Sequence, residues 1–140
     1  MDKIKVLLAK PTQDSHDRGV RYLSHKLVQE GFEVVFINFL FVKEIVEVAT
    51  EEDVAVIGIS SSSGGHMPIF EELTKQLKES DKNDILVVGG GIISAQDGKL
   101  LEDMGVKKIF GPGSSSAEIV DFIRSNAPLH DHDSKAQISK

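Results

Sequence analysis

The 140-residue chain has no cysteine, no tryptophan and a single tyrosine, and no apolar run in it approaches the length of a membrane span. Without cysteine there is neither a disulfide framework nor a thiolate metal site, which fits a reducing compartment. The amino-terminal stretch MDKIKVLLAK holds no long apolar h-region, so the chain reads as cytoplasmic, with no membrane partner. Basic residues are also few for one purpose: they are scattered, and the formal net charge is −6. Nucleic-acid binding needs clustered Lys and Arg and, for single strands, aromatic stacking. Nucleic acid is therefore excluded as a main partner.

What is present suits a folded domain. Apolar residues make up 40% and charged residues 27% of the chain, enough for a core without covalent staples. Short, apolar, β-branched runs at 4–9, 33–38, 54–60, 84–89 and 106–110 read as strands. Between them, apolar residues recur at helical spacing: Val20, Leu23, Leu27 and Val28; Val42, Ile45, Val46 and Ala49; Phe70, Leu73 and Leu77 after Pro68; Leu100, Leu101 and Met104; Ala117, Ile119, Val120 and Ile123. Gly31 and Gly105 fit helix stops. A strand followed by a helix, repeated five times, means parallel βαβ units. The expected fold is α/β: an open, doubly wound, flavodoxin-like (Rossmann-like) sheet of five parallel strands over residues 1–126. Residues 127–140 read as a disordered polar tail, and His130-Asp131-His132 within it as solvated.

In such sheets ligands sit outside the carboxyl ends of the strands. Four of the five strand candidates end in unusual loops: KPTQDSHDRG after the first, SSSSGGH after the third, GGGIISAQD after the fourth and GPGSSS after the fifth. Glycine allows close backbone approach and serine adds hydrogen bonds without bulk. Only the second strand runs into an apolar connection, NFLFV. The first loop is eight or nine residues where such connections usually run to about six at most. Four such loops on one edge imply a large ligand.

Familiar uses of the fold fail on the residues. A phospho-accepting receiver needs Asp after the third strand and Lys after the fifth, where Ser60 and Phe110-Gly111 stand. GISSS is no nucleophile elbow. GGGIIS lacks the last glycine of a dinucleotide fingerprint and follows the wrong strand. There is no Walker A sequence, and KPTQDSHD is no flavodoxin-type phosphate loop. His25 reads as a surface residue and His66 as a loop residue beside the ligand edge. In the first loop, Asp14 could take the ring N–H that a metal-bound His16 would leave free, with Lys10 pairing to Asp14. The spacing alone fits a capping Asp and an exposed His equally well.

DSHDRG at 14–19 carries D-x-H-x-x-G in Asp14, His16 and Gly19. It resembles the signature of the cobalamin-binding domain of adenosylcobalamin-dependent mutases and methionine synthase. The blocks LLAKPTQDSHDRG, GISSSSGGH, ILVVGGGIISAQD and IFGPGS are similar, in order and spacing, to those of the methylmalonyl-CoA mutase group, over residues 3–126. The resemblance implies that His16 is the lower axial ligand of cobalt, replacing the cofactor's own dimethylbenzimidazole, and that the displaced nucleotide tail lies in a slot beside the sheet. Asp14 would hold His16, and Lys10 would stand behind Asp14. Ser15, Asp17, Arg18 and Gly19 would complete the cofactor loop. Ser60 matches the serine that contacts the tail, and Gly90 and Gly91 match a glycine pair against the nucleotide. Gly113 and Ser114 match the block at the far end of the tail. The sequence departs from the family at Ser62, where leucine is usual, and the slot should be more polar or roomier there.

The resemblance further implies a cofactor, adenosylcobalamin, and a partner, a large TIM-barrel acyl-CoA mutase subunit. This chain would be the cofactor-binding small subunit of an isomerase, with no catalytic residue of its own and no turnover alone. Methylmalonyl-, isobutyryl- and hydroxyisobutyryl-CoA remain open as substrates. A corrinoid carrier for methyl transfer and a cobalamin sensor or storage module remain the alternatives. A neutral imidazole must be supplied to cobalt, so binding should weaken as His16 is protonated.

Overall fold

The computed structural model describes residues 3–12, 18–61, 66–82, 84–91, 93–111 and 113–128. The five β-branched runs form β1 (Lys5–Pro11), β2 (Glu33–Phe39), β3 (Val56–Ser61), β4 (Leu86–Gly91) and β5 (Lys108–Phe110). The helical periodicities form α1 (Arg18–Gln29), α2 (Val42–Glu52), α3 (His66–Glu79), α4 (Ala95–Met104) and α5 (Ser116–Asn126). The sheet is parallel throughout, in the order β2-β1-β3-β4-β5, with its switch point between β1 and β3. This is the flavodoxin-like α/β fold expected from the sequence.

Several element boundaries differ from those expected. Lys10 and Pro11 pair with Asn38 and Phe39 and so belong to β1, which leaves residues 12–17 as the connection to α1. At six residues that loop is of ordinary length rather than long. Val54 and Val106 open no strands. Their N–H groups donate to Ala49 O at 3.1 Å and Leu101 O at 3.0 Å, closing the ends of α2 and α4. His66 is the first residue of α3 and not part of the loop before it.

Four helices end in the same left-handed turn. Gly31 (φ +97°) and Gly105 (φ +115°) stop α1 and α4 as their positions suggest, and Asp53 (φ 54°) and Asp81 (φ 58°) do so for α2 and α3. Ser115 and Glu118 cap α5 reciprocally, and Ser94 caps α4 by accepting from Asp97 N at 3.1 Å. Ala127 closes α5 by donating its N–H to Ile123 O at 2.8 Å. Residues 129–140, most of the expected tail, lie outside the described residues.

Side chains alternate between two faces of the sheet. On one face, Leu7, Ala9, Ile57, Ile59 and Val87 pack with Ile45 and Ala49 of α2, Phe70, Leu73 and Leu77 of α3 and Leu101 of α4. On the other, Val6, Leu8, Val56, Leu86, Val88 and Phe110 pack with Val20 and Leu27 of α1 and Val120 and Ile123 of α5.

Candidate functional site

On the α1/α5 face the side chains of β3 and β4 shrink toward the carboxyl edge. Val34, Val6, Val56 and Leu86 form one row across the strands. The next row holds Phe36, Leu8, Gly58 and Val88. The row at the edge holds Ser60, Gly90 and Phe110, with Lys10 and Asn38 at the same level on β1 and β2. Along β3 the face therefore reads Val, Gly, Ser, and along β4 Leu, Val, Gly. With nothing to fill that floor, α1 and α5 leave a slot of about 440 Å³ between them.

Its walls are Gly19, Val20, Tyr22 and Leu23 of α1 and Ser116, Ile119 and Ile123 of α5. Its floor is Val6 and Leu8 of β1, Gly58 to Ser60 of β3 and Val88 to Gly91 of β4. Phe110, Gly111 and Ser114 close the β5 side. Among the described lining residues none is charged, and the serines all stand at the carboxyl edge or at the start of α5. The far ends of α1 and α5 are tied together. Arg124 Nη2 donates to Glu30 O at 2.6 Å and lies 3.4 Å from Glu30 Oε1, with its guanidinium 5.3 Å from the centre of the Phe32 ring.

The glycines divide by face. A Cβ on Gly89 would lie 2.5 Å from Phe70 Cζ and 2.9 Å from Ile109 Cδ1, so Gly89 exists to let α3 pack down. A Cβ on Gly90 would meet nothing nearer than Phe110 O at 3.7 Å and would project into the slot. Gly91 has φ +124°, a conformation that favours glycine for its own sake. Gly58 is intermediate: its Cβ would meet Leu8 Cδ2 at 2.9 Å.

Of the residues expected at the site, Gly19, Ser60, Gly90, Gly91 and Ser114 converge on the slot. Lys10 stands one pleat beyond Leu8, buried, with Nζ donating to Pro11 O at 3.1 Å. Gly113 does not line the slot, and a Cβ there would enter open space. Arg18 is the first residue of α1. Asp14, Ser15, His16, Asp17 and Ser62 lie outside the described residues. Sequence reasoning missed Gly58, Tyr22 and Ile119 as lining residues. Gly58 had a readable signal, since glycine inside a β-branched strand marks a close approach. Ile119 had none beyond helical periodicity, and Tyr22 stands outside the apolar periodicity of its helix.

A family model described as the B12 binding domain matches residues 4–121. The chain belongs to the B12-binding domain family. This B12-binding domain is 40% identical over 125 residues to methylmalonyl-CoA mutase of Cereibacter sphaeroides, covering 86% of the chain but only 18% of that mutase. It is 34% identical over 123 residues to the 2-hydroxyisobutanoyl-CoA mutase small subunit of Aquincola tertiaricarbonis, covering 87% of the chain and 90% of the subunit. Among solved structures, a cobalamin-binding protein from Desulfitobacterium hafniense superposes with a TM-score of 0.76 at 22% identity, over 91% of this chain and 60% of that one. A Francisella receiver domain reaches a TM-score of 0.67 at 17% identity, over 88% of this chain and 95% of that one. These structural likenesses establish the fold alone. Among the described residues no helix is long and apolar enough to cross a membrane.

Proposed function

We propose that this B12-binding domain is the cofactor-binding small subunit of an adenosylcobalamin-dependent acyl-CoA mutase. It holds the cofactor with the cofactor's own base off cobalt, His16 as the lower axial ligand, and the nucleotide tail in the slot between α1 and α5. The observation that carries this reading is the slot, which is open because Ser60 and Gly90 put so little side chain at the edge of its floor.

The residues present fit the group. An uncharged, apolar bottom at Val6, Leu8 and Val88 accepts a flat base and excludes water from it. Hydroxyls of Ser60, Ser114 and Ser116 would donate to ribose and phosphate oxygens of the tail. His16 would supply a neutral imidazole to cobalt, and the Asp14 carboxylate would accept a hydrogen bond from the other ring N–H. Lys10, buried on β1, would set the charge that Asp14 feels. When bound, adenosylcobalamin supplies the radical chemistry of carbon-skeleton rearrangement. This chain's part is to hold and orient it. The barrel subunit covers the opposite side of the corrin and chooses the acyl-CoA. A two-chain arrangement is supported by the match to a mutase small subunit over 90% of that subunit's length.

Electron paramagnetic resonance of the Co(II) cobalamin complex tests the reading, with ¹⁵N-histidine protein beside His16→Ala. The expected result is a nitrogen splitting that changes with the isotope and is lost in the variant. A splitting indifferent to the isotope would mean that the cofactor keeps its own base, and His16 ligation would fall.

A further inference from the structure

Among the described residues, the large apolar and aromatic side chains that stand exposed are Tyr22, Val28, Leu40, Phe41 and Leu100, and of these only Tyr22 lines the slot. It is 61% exposed, on the wall that α1 contributes, and it is the one tyrosine in a chain without tryptophan. An aromatic ring left in water at the side of an apolar slot is a face waiting for a second flat ring. Below it the floor is aliphatic: Val6, Leu8 and Val88 are buried, and the serine hydroxyls are confined to the carboxyl edge and the start of α5.

We infer that Tyr22 and this aliphatic floor select the lower base of the cofactor: Tyr22 stacks on a bicyclic base with apolar edges, of the benzimidazole class, and the floor rejects a purine. This inference rests on the tail occupying the slot as proposed above. Adenine differs from a benzimidazole in carrying an exocyclic amine and additional ring nitrogens. Pushed against Val6, Leu8 and Val88, those groups lose water and meet only aliphatic side chains, because the hydroxyls of Ser60, Ser114 and Ser116 stand at the carboxyl edge and the start of α5. A dimethylbenzimidazole presents methyl groups to the same surface and gains from burying them.

The test uses nucleosides without cobalt, so that failure of His16 ligation cannot be mistaken for failure here. The probes are α-ribazole, the benzimidazole nucleoside of the tail, and its adenine counterpart. They are titrated into ¹⁵N-labelled full-length protein with the tyrosine ring ¹³C-labelled, which gives one set of ring signals because there is one tyrosine. α-Ribazole should shift the Gly58 and Gly90 amides together with the Tyr22 ring. Tyr22→Ala should weaken it roughly 2- to 10-fold, the range of an aromatic stacking contact, while Tyr22→Phe retains it. The adenine nucleoside should bind roughly 5- to 100-fold more weakly, the range for one unsatisfied buried polar group. Equal affinity for the two nucleosides would overturn the inference. So would affinity for α-ribazole unchanged by Tyr22→Ala, or the absence of shifts at Gly58 and Gly90 at millimolar ligand.

Discussion

The two faces of the sheet use glycine for opposite ends. Under α2, α3 and α4, Gly89 lets a fully buried Phe70 ring reach the backbone, and the space is filled by the protein itself. Under α1 and α5, the next residue, Gly90, leaves space that the protein does not fill. One strand thus carries, at adjacent positions, a packing glycine and a glycine that lines the slot. The sheet alternation alone separates them. A glycine-rich block at the end of a strand is therefore not one signal but two, interleaved with period two.

The sharpest way to break this comparison is to add one methyl group on each side. Gly89→Ala pushes a carbon to 2.5 Å from Phe70 Cζ, inside a core where that ring has no exposed surface to retreat to. The expected cost is about 1–3 kcal/mol, read as a lower urea midpoint with an unchanged slope. Gly90→Ala meets ordinary contact at 3.7 Å, so the free protein should keep its stability within about 0.5 kcal/mol. Its methyl instead occupies the slot, and cobalamin affinity should fall. If both variants lose stability equally, the division of labour between the faces is wrong.

The fold was legible because the strands and helices carry their periods plainly and the glycine stops at Gly31 and Gly105 are in sequence. The stops at Asp53 and Asp81 were not legible, since aspartate takes a left-handed turn only where the helix-end hydrogen bonds demand it. The same blindness misplaced Val54 and Val106, whose apolar character serves a helix end and not a strand. At the site, motif resemblance picked out Gly19, Ser60, Gly90, Gly91 and Ser114, which the fold gathers on one slot. It missed Tyr22, because a residue on the flank of a helix is distinguished from a surface residue only by what stands opposite. The serines of GPGSSS likewise look alike in sequence, yet Ser115 caps α5 while Ser114 and Ser116 line the slot.

The closed end of the slot offers a smaller test. Arg124 caps the carbonyl end of α1 and covers Phe32, holding α5 to α1 at the end away from the open floor. Its side chain is 48% exposed, so the ion pair with Glu30 contributes little, and the cation–π contact and carbonyl bond carry most of the effect. Arg124→Ala should cost about 1 kcal/mol in a urea melt, and should loosen the α1/α5 face without touching the other. Faster hydrogen exchange confined to α1 and α5 would show this. Exchange quickened equally in α3 would mean that the two faces are not independent.

The smallest effect is expected at the one strand end that carries no glycine or serine. After β2, Leu40 and Phe41 stand exposed, and Glu44 Oε1 accepts from their backbone N–H groups at 2.6 and 2.8 Å. A carboxylate here replaces the hydroxyl caps used by α4 and α5. The hydrogen bonds from Phe41 and then Leu40 hold the Glu44 carboxyl below its ordinary value. The sign follows from that depression. Ionised Glu44 is favoured in the folded state, so its contribution is complete above the ordinary glutamate value and is lost as pH falls through the lower, folded value. Because the group is exposed, the change in stability should be slight and screened by salt. Its titration is the better measurement. The Glu44 carboxyl carbon should titrate below the ordinary glutamate value by NMR, and the Leu40 and Phe41 amides should shift in step with it. Glu44→Gln should abolish that step and leave cobalamin binding unchanged, since the clamp touches β2 and α2 and the slot touches neither.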